Sequence, residues 1–352
     1  MILFQINSVI NSDSTGRIAE EIGQVAIKNG WESYIAYGRN ERPSQSKKIK
    51  IGNEWDIKWH GLMTRLFDRH CLASTRATKE LVKNIDKIKP DIIHLHNLHG
   101  YYQNIKILFN YLAAANIPVV WTLHDCWALT GHCAYFSFIG CEKWKTQCEH
   151  CPQKTGYPAS YLFDRSFKNY LLKKELFTSV RKMTLVPVSK WLANILKDSF
   201  LKSYPVKTIY NGIDTTVFSP KETMTVRKKY KIPDNKFVLL GVASRWTDRK
   251  GLKDYIRLSQ LLKNDEVIIL VGVTDRIIKT LPQNIIGVKS TENLTELAEL
   301  YSLADIFINP TWDDNFPTTN IESLSCGTPV ITYNTGGSPE AITPETGFIV
   351  EQ

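Results

Sequence analysis

The chain has 352 residues, of which 43% are hydrophobic and 22% are charged, and its formal net charge is +9. This composition is typical of a globular protein, and the length allows two domains of about 150 residues each. The sequence has no run of about 18 apolar residues, which excludes a transmembrane helix. The opening residues, MILFQINSVINSDSTGRIAEE, lack a basic segment and a small-residue cleavage site. They therefore predict a first β-strand rather than a signal peptide.

The excess of basic residues has one neutral explanation, a solvated surface, and three specific ones. These are a polyanionic ligand, a substrate that carries phosphate, or an anionic membrane surface. Aromatic and basic residues are interleaved in EWDIKWHGLMTRLFDRH, residues 54–70. This segment could lie on a membrane or could equally cover a core.

Short apolar runs rich in β-branched residues recur along the chain, with helical patterns between them. In the first half the predicted strands are MILFQINSV, ESYIAYG, DIIHLHN, VVWTLHD, MTLVPVS and VKTIYNG. In the second half they are KFVLLGVAS, EVIILVGV, NIIGVKS, DIFINP, PVITYN and GFIV. Near-continuous apolar strands that alternate with amphipathic helices predict parallel sheets covered on both faces.

We expect an α/β protein with two Rossmann-like, doubly wound domains. Pro220 and the charged stretch 221–234 follow NGIDTTVFSP, so residues 1–215 form the predicted first domain and residues 216–352 the second. Ligands of doubly wound sheets bind beyond the carboxyl ends of the strands. The sequence therefore predicts a ligand site in a cleft where the two domains face each other.

Several histidines stand at the predicted carboxyl ends of first-domain strands. VVWTLHD places His124 and Asp125 there, where an open α/β sheet carries functional groups. HLHNLHG adds His94, His96 and His99, with the first two on one face of the strand. A local backbone partner for His124 and core packing for the other three are the structural alternatives. No carboxylate or thiol has the spacing that would turn these histidines into a metal site.

The loop NSDSTGRI is predicted to connect the first strand to the first helix, and it contains Gly16. Backbone N–H groups and a helix N-terminus at such a place can hold an anion. The chain has no G-x-G-x-x-G sequence, which argues against a nicotinamide-dependent dehydrogenase.

In the second half, ASRWTDRKG places Arg245 and Lys250 in the loop after the first strand of that domain. Arginine as a fork and lysine as a point charge suit a diphosphate. A basic surface loop is the alternative.

The segment DNFPTTNIES, residues 314–323, follows a strand and opens a helix. The amides of Thr318 and Thr319 would point toward a phosphate, and Glu322 could accept hydrogen bonds from two adjacent hydroxyls, as on a ribose. Glu322 could instead form a capping box with Thr319, and Asp314 could be an ordinary loop carboxylate.

Five of the seven cysteines lie in an insertion near residues 126–152. Four of them follow the pattern C-x7-C-x6-C-x2-C, and they are Cys133, Cys141, Cys148 and Cys151. The C-x2-C pair suits a tetrahedral metal site, and a chain without a secretion signal favours thiolates over disulfides. We predict structural zinc, with disulfides or unliganded thiols as alternatives. The reserve ligands are Cys126 and His132, whereas Cys71 and Cys326 resemble ordinary buried cysteines.

Together these motifs resemble glycosyltransferase family 4 enzymes of the GT-B fold, closest to the branch that builds colanic-acid-type, capsular and other bacterial surface polysaccharides. The resemblance spans nearly the whole chain and rests on NSDSTGRIAEEIG, DIIHLHNLHGYY, WTLHDCWALTGHC, GCEKWKTQCEHCPQ, PVSKWLA, IYNGIDTTVFSP, SRWTDRKGL and DNFPTTNIESLSCGTPVITYNTGGSPE. It implies a retaining hexosyltransferase that moves a sugar from a UDP- or GDP-linked donor to a glycan or lipid-linked saccharide. Catalysis would require no metal and no dedicated protein base.

The resemblance also implies roles for individual residues. Arg245 and Lys250 would hold the donor diphosphate, and Glu322 would bind the ribose. Gly16 would let the first-domain loop approach the diphosphate, and His124 would bond the sugar near the reacting carbon. The loop expected to meet the sugar and phosphates comprises Asp314, Asn315, Phe316, Pro317, Thr318 and Thr319.

The chain departs from the family at two places. Family members usually carry glutamate eight residues before the ribose-binding residue, where this chain has Asp314, whose side chain is shorter by one methylene. They also continue with further helices beyond the strand in GFIVEQ. The resemblance therefore implies that the second domain lacks its final C-terminal helices.

Two other functions fit the same residues. One is a nucleotide-sugar epimerase of the same fold. The other is a zinc-bearing protein that binds nucleic acid or a protein partner, which the basic pI and the cysteines favour and the ordered site motifs disfavour. The main hypothesis expects a nucleotide sugar and a saccharide acceptor as partners, no nucleic acid, and a cytoplasmic location with peripheral contact to an anionic membrane.

Overall fold

A computed structural model describes all 352 residues of the chain. They form two compact units, Met1–Tyr210 and Asn211–Gln352, which we call unit 1 and unit 2. The sequence-based boundary after residue 215 lies a few residues further along the chain.

Unit 1 contains a parallel sheet and six α-helices. Its strands are β1 (Ile2–Ile10), β2 (Glu32–Glu41), β3 (Lys47–Lys50), β4 (Ile92–Leu95), β5 (Val119–Leu123) and β6 (Met183–Pro187). Its helices are α1 (Asp13–Lys28), α2 (Glu54–Phe67), α3 (Thr75–Ile88), α4 (Ile105–Ala114), α5 (Ser166–Phe177) and α6 (Lys190–Asp198). Between β5 and α5 the chain forms only short 3₁₀ turns, at Trp127–Leu129, Ser137–Ile139 and Lys143–Lys145.

Unit 2 contains a second parallel sheet and five α-helices. Its strands are β7 (Phe237–Val242), β8 (Glu266–Val271), β9 (Ile285–Val288), β10 (Ile306–Asn309), β11 (Val330–Tyr333) and β12 (Gly347–Val350). Its helices are α7 (Met224–Lys229), α8 (Leu252–Ser259), α9 (Asp275–Ile278), α10 (Leu294–Leu303) and α11 (Thr318–Ser325). Two 3₁₀ turns lie at Asp248–Lys250 and Ser338–Ala341.

Both sheets have the same strand order. Unit 1 runs β3-β2-β1-β4-β5-β6 and unit 2 runs β9-β8-β7-β10-β11-β12, and all the strand pairs are parallel. The order reverses between β1 and β4, and again between β7 and β10. Ligands of doubly wound sheets bind beyond the carboxyl ends of the strands at this switch point. The predicted class, two doubly wound parallel sheets, is confirmed.

The sheets are parallel because their strands carry apolar residues on both faces. In β7, Leu239 packs into one core cluster, whereas its neighbours Val238 and Leu240 pack into another. A strand buried on both sides needs helices on both sides. Burying each such side chain stabilises the unit by about 1.5–3 kcal/mol.

One predicted strand in the first half was wrong, and one strand was missed. The run VKTIYNG is not a strand: Val206 forms an isolated bridge with Leu185, and the chain then runs along β6 without a continuing ladder. The sequence analysis also missed β3, whose lysine-rich sequence hides its pairing with β2. Lysines are common on edge strands because they discourage further pairing.

Helix α2 shows why segment 54–70 was ambiguous. One side of the helix buries His60 and Thr64, whereas the other leaves Trp55 78% and Trp59 58% exposed. The same helix therefore covers a core and offers an aromatic outer face. None of the helices in the structure is both long enough and apolar enough to cross a membrane.

Candidate functional site

Two loops of unit 2 meet at the carboxyl ends of β7 and β10. The first contains the 3₁₀ turn Asp248–Lys250, and the second contains Asp314. The Lys250 ammonium lies 2.5 Å from a carboxylate oxygen of Asp314. The Trp312 N–H donates to the Arg249 carbonyl at 2.8 Å. The structure thus brings together two of the predicted catalytic residues, Lys250 and Asp314.

The Asp314 carboxylate is kept ionised by its neighbours. Burial alone would raise its pKa, but the charges of Lys250 and Arg249, with hydrogen bonds from Lys250 and the Asn315 N–H, hold the pKa below its usual value. Arg249 also donates a hydrogen bond to the Asp313 carbonyl. The loop therefore presents a fixed anion paired with a fixed cation.

Glycines allow the backbones of these loops to touch. Gly251 has a φ of +77°, and a Cβ atom there would lie 2.2 Å from the Pro310 carbonyl oxygen. Gly336 has a φ of +57°, and its Cβ would lie 1.9 Å from the Asp314 carbonyl oxygen. Only glycine accepts both the left-handed backbone and this contact, so the two residues fix how close the loops come.

Helix α11 begins directly after the Asp314 loop. Pro317 occupies its N-cap position and no side chain caps the helix. Thr318 and Thr319, both partly exposed, form the first turn. Their amides stand at the positive end of the helix, which is suited to an anion.

Asn320 ties the start of α11 to the sheet. Its amide nitrogen donates to the Ser338 carbonyl at 3.0 Å, and its amide oxygen accepts from Asn309 at 2.8 Å. The Thr332 hydroxyl donates to the Asn309 carbonyl at 3.0 Å. All four residues are buried. Because each of these bonds would be costly to lose in the interior, they hold the helix start in one position.

Glu322 lies in the second turn of α11 and is only 1% exposed. Its carboxylate accepts a hydrogen bond from the Tyr301 hydroxyl at 3.1 Å. The capping-box alternative is wrong, because it requires Thr319 at the N-cap, whereas the helix begins at Thr318. The burial of the Glu322 carboxylate in α11 is therefore not explained by a capping role.

Arg245 follows β7, as predicted, but it does not join the Lys250–Asp314 pair. Its side chain is exposed and makes no hydrogen bond or ion pair in the structure. Its part in diphosphate binding stays a prediction.

In unit 1, three side chains form a hydrogen-bonded chain across β1, β4 and β5. The Gln5 amide nitrogen donates to the Ala19 carbonyl at 2.8 Å, which turns the amide oxygen toward His96 Nε2 at 3.0 Å. His96 Nδ1 lies 3.2 Å from His124 Nε2. Gln5 and His96 are buried, and His124 is partly buried.

The directions of these bonds follow from chemistry. Burial lowers the pKa of His96 well below its ordinary value and that of His124 to about 4, so both rings are neutral at pH 7. Since the Gln5 oxygen only accepts, His96 Nε2 carries the proton and Nδ1 is an acceptor. His124 Nε2 then donates to it. His124 Nδ1 therefore keeps its lone pair and acts as a hydrogen-bond acceptor.

The other strand-end histidines have structural partners. His94 Nε2 lies 2.8 Å from the Thr122 hydroxyl. His99 bridges Asp125, at 2.6 Å, and the Tyr157 hydroxyl, at 2.9 Å. His96 and His99 use both ring nitrogens in such bonds, whereas His94 Nδ1 and His124 Nδ1 have none, and His124 is the more exposed of the two.

The structure corrects the position of Gly16. It lies in the first turn of α1 and is buried, not in the preceding loop. A Cβ atom there would lie 3.0 Å from Val9 Cγ2 and 3.2 Å from the Asn11 nitrogen. Gly16 thus lets α1 pack closely on the end of β1, and this packing is the role that the geometry supports.

Two family models match the chain, one in each half. The model described as Glycosyltransferase Family 4 matches residues 15–217, more than half of the chain. The model described as Glycosyl transferases group 1 matches residues 222–352. The chain belongs to glycosyltransferase family 4.

Similar curated proteins are also glycosyltransferases. A putative colanic acid biosynthesis glycosyl transferase, WcaC of Escherichia coli K12, is 25% identical over 100% of this chain and 88% of its own length. The alpha-galactosylglucosyldiacylglycerol synthase of Streptococcus pneumoniae is 29% identical over 47% of this chain and 48% of its own length. These comparisons place the family 4 glycosyltransferase among transferases of polysaccharide biosynthesis.

Solved structures confirm the GT-B fold. Sucrose-phosphate synthase from Thermosynechococcus elongatus matches with a TM-score of 0.73 at 16% identity, over 99% of this chain and 86% of that protein. The Anabaena protein HepE, solved with UDP-glucose, matches with a TM-score of 0.68 at 15% identity, over 100% and 85%. Identities this low show the shared fold and nothing of the substrate.

The glycosyltransferase has residues next to the candidate site that the sequence analysis missed. Gln5 orients His96, Arg249 helps keep Asp314 ionised, and Asn320 anchors α11. Gln5 is a polar residue within an otherwise apolar strand, and this could have marked it as a candidate. Nothing in the sequence distinguished Arg249 from Arg245.

The cysteine insertion of the glycosyltransferase brings its four patterned cysteines to one cavity, and His132 also lines it. Cys126, the other reserve ligand, does not. The structure has no disulfide bond among its seven cysteines.

Proposed function

We propose that the protein is a retaining glycosyltransferase that moves a hexosyl group from a nucleotide-sugar donor to a saccharide or lipid-linked saccharide in surface polysaccharide synthesis. The observation that carries this proposal is the Lys250–Asp314 pair, which lies at the switch point of the unit 2 sheet, just before the uncapped start of α11. Family membership and the likeness to a colanic acid transferase support it.

The donor binds to unit 2 in this proposal. Lys250 and Arg245 hold the diphosphate with the first-turn amides of Thr318 and Thr319, since cations and a helix N-terminus both favour phosphate. Glu322 accepts hydrogen bonds from two ribose hydroxyls. A carboxylate accepts several hydrogen bonds, so Tyr301 can hold Glu322 while a ribose donates to it.

The nucleotide is UDP or GDP, and we favour UDP. The similar HepE structures contain UDP, UDP with glucose, or UDP-glucose. A Corynebacterium glutamicum relative, 26% identical over 47% of this chain, is described as GDP-mannose-dependent. The fold is therefore compatible with either nucleotide.

The chemistry requires charge stabilisation rather than a protein base. As the bond from sugar to diphosphate breaks, negative charge grows on the leaving phosphate, where Lys250 and the α11 amides stabilise it. The acceptor attacks from the same face, and a donor phosphate oxygen takes its proton, which retains the anomeric configuration. No metal is required for this step.

His124 orients the sugar in this mechanism. Burial lowers the pKa of His124 to about 4, so the ring is neutral at pH 7 and does not act as a general acid. Its Nδ1 accepts a hydrogen bond from a sugar hydroxyl near the reacting carbon. Asp314 stands in the loop that meets the sugar, where its ionised carboxylate accepts from hydroxyls and positions Lys250.

A panel of nucleotide sugars tests the donor site. We expect one UDP-sugar, or failing that a GDP-sugar, to raise the melting temperature, because a ligand that binds only the folded state stabilises it. Titration calorimetry should then show binding to the wild type, most of it lost in Glu322→Ala. The control is Lys253→Ala, since Lys253 is exposed and pairs only with Asp248. Full affinity in Glu322→Ala would sink the site assignment.

The same panel separates the rival functions. Epimer formation from the bound donor without an acceptor would replace the transferase proposal with an epimerase. Salt-sensitive binding to nucleic acid, with no nucleotide sugar bound, would favour the zinc-bearing binding protein instead.

We further propose that the enzyme works in the cytoplasm at the inner face of an anionic membrane. The exposed side of α2 carries Trp55 and Trp59 beside the basic Lys58 and Arg65. Phe67 on this helix stacks on Phe163 with ring centroids 5.7 Å apart, which extends the apolar surface. Aromatic and basic residues together favour an anionic interface.

Co-sedimentation with vesicles tests the membrane contact. Wild-type protein should sediment with vesicles rich in phosphatidylglycerol and remain in solution with phosphatidylcholine alone. A Trp55→Ser, Trp59→Ser double variant should lose this binding and still melt like the wild type, because both side chains are exposed. Unchanged sedimentation of the double variant would contradict the assignment.

A further inference from the structure

Four cysteines of unit 1 surround one small cavity. The cavity, of about 10 Å³, is lined by Cys133, Cys141, Cys148 and Cys151 together with His132. Cys133 and Cys148 are buried, and the other two cysteines are partly buried. The thiols of Cys133 and Cys151 are within hydrogen-bond contact. We call these residues the four-cysteine cluster.

The C-x2-C turn is held in place from outside. The Lys143 ammonium donates to the carbonyls of Glu149 and His150, at 2.9 and 3.3 Å. His150 has a left-handed φ of 45°, which turns the chain so that Cys148 and Cys151 line the same cavity. Side chains outside the cluster therefore keep the turn in a ligand-binding shape.

The segment that carries the cluster has no regular secondary structure to order it. Residues 130–165 contain no α-helix or β-strand, although Phe136 and Trp144 are buried and stack with ring centroids 5.2 Å apart. Loops longer than about 12–15 residues without secondary structure are uncommon in compact domains. A cross-link inside this segment would add a constraint that no helix or strand supplies.

We propose that Cys133, Cys141, Cys148 and Cys151 bind one Zn²⁺ ion as a structural site. Each thiol releases its proton to solvent as its sulfur bonds the ion, and nothing is oxidised. Four thiolates complete the tetrahedron, so the ion orders the segment and takes no part in sugar transfer. No three of the four sulfur atoms lie within 4.8 Å of one another in this structure, so metal binding requires the sulfur atoms to move toward a common centre.

A second group of ligand-type atoms is a weaker candidate. Atoms of His60, His70 and Cys71 lie within 4.8 Å of one another. However, His60 Nε2 already accepts the Cys71 N–H at 2.8 Å, and its Nδ1 bonds Ser74 at 2.8 Å. Because His60 has no lone pair left, we assign the metal to the four-cysteine cluster.

Metal analysis of the full chain, purified without chelators, tests the proposal. We expect one zinc per chain, and replacement by Co²⁺ should give the absorption of a tetrahedral thiolate site. A strong chelator should make residues 130–165 sensitive to protease, and added zinc should reverse this. Absence of zinc, bound iron instead, or a Cys133–Cys151 disulfide would overturn the proposal, and none of these readouts depends on sugar transfer.

Matched variants identify the ligands. Cys148→Ser should lose the zinc, whereas Cys126→Ser should keep it, since Cys126 is buried in the same insertion but does not line the cavity. His132→Gln should also keep it. Loss of zinc in His132→Gln, or its retention in Cys148→Ser, would show that the ligand set is wrong. If Cys148→Ser does not fold, the cobalt spectrum of the wild type shows whether thiolates bind the metal.

Discussion

Units 1 and 2 are built on the same strand order but hold different chemistry at their carboxyl strand ends. Unit 1 contains all eight histidines, several of them buried and neutral, whereas unit 2 contains none. Unit 2 instead presents an ion pair, Lys250–Asp314, and the open start of α11. One unit offers neutral hydrogen-bonding groups suited to hydroxyls, and the other offers fixed charges suited to phosphate. The shared topology determines where the groups lie, and the side chains determine which ligand they suit.

The largest expected difference between the two units is in how much stability each loses in acid. Burial lowers the pKa of His60 and His94 to about 3 and that of His124 to about 4. Because their unfolded pKa is near 6.5, the unfolded chain binds more protons below that pH. Stability is therefore full above pH 6.5 and falls as the pH drops toward 4, by about 2 kcal/mol per histidine at pH 5. His132 opposes this trend, because Asp68 raises its pKa despite burial.

Urea unfolding at pH 7 and pH 5, followed by proteolysis and mass spectrometry, measures the loss of stability in acid for each unit. Peptides of unit 1 should be released at much lower urea at pH 5. Those of unit 2 should change little, because lowered carboxyl pKa values, as in Asp314 and Glu296, matter only below about pH 4. Equal losses in both units would break the comparison.

The charged site of unit 2 should be the more sensitive to a single substitution. Lys250→Ala removes the cation that we propose stabilises the leaving phosphate, and it leaves the partly buried Asp314 without its ion-pair partner. We expect roughly a 10²–10³-fold loss of transfer rate, by analogy with the removal of one charge-stabilising donor. Arg245→Ala should cost less, because Arg245 is exposed and makes no contact that fixes it. Steady-state kinetics with the donor found in the panel would measure both, and a larger effect of Arg245→Ala would reverse the assignment.

The fold was largely predictable because its signals are local. Apolar runs such as EVIILVGV and KFVLLGVAS predict strands that are buried on both sides. The alternation of such runs with helical patterns predicted two doubly wound sheets. Edge segments were less predictable: KKIK pairs as β3 despite its lysines, and VKTIYNG does not continue as a strand despite its β-branched residues. At an edge, pairing depends on neighbours that are distant in sequence.

The site was predictable only in part for the same reason. Strand-end residues such as His124 and Lys250 could be found from motifs, because their position in a parallel sheet follows from the sequence pattern. The bond between Lys250 and Asp314 spans 64 residues, and the contact of Gln5 with His96 spans 91. No spacing rule covers such distances. Gly16 was misplaced because helix α1 starts earlier than its sequence pattern indicates.

The neutral chain of unit 1 makes a smaller but more specific prediction. Gln5→Leu leaves His96 Nε2–H buried without a partner, at a cost of about 1–3 kcal/mol. His96 can then move its proton to Nδ1, and His124 Nε2 loses its acceptor. Nitrogen-15 shifts of the imidazole rings should show mixed tautomers in place of the single one in the wild type.

A matched control distinguishes this effect from general destabilisation. Gln103 is also buried and donates to a carbonyl, that of Leu98 at 2.9 Å, but it forms no hydrogen bond with a histidine. Gln103→Leu should lower stability by a similar amount and leave the imidazole shifts unchanged. Unchanged tautomers in Gln5→Leu would remove Gln5 from the site.

The smallest expected effect is the change in stability when Gly16 of unit 1 is replaced. Alanine has a higher helix propensity than glycine by about 1 kcal/mol, yet a Cβ at Gly16 would press on Val9 Cγ2 at 3.0 Å and the Asn11 nitrogen at 3.2 Å. Overpacking costs about 1–3 kcal/mol, so Gly16→Ala should lower stability by about 1 kcal/mol. At Gly61, in α2, a Cβ would meet only the flexible Arg65 guanidinium, so Gly61→Ala should raise stability. Urea titrations of the two variants should move in opposite directions. Equal gains would show that Gly16 is not needed for packing, and an anion-binding role for the start of α1 would then regain its support.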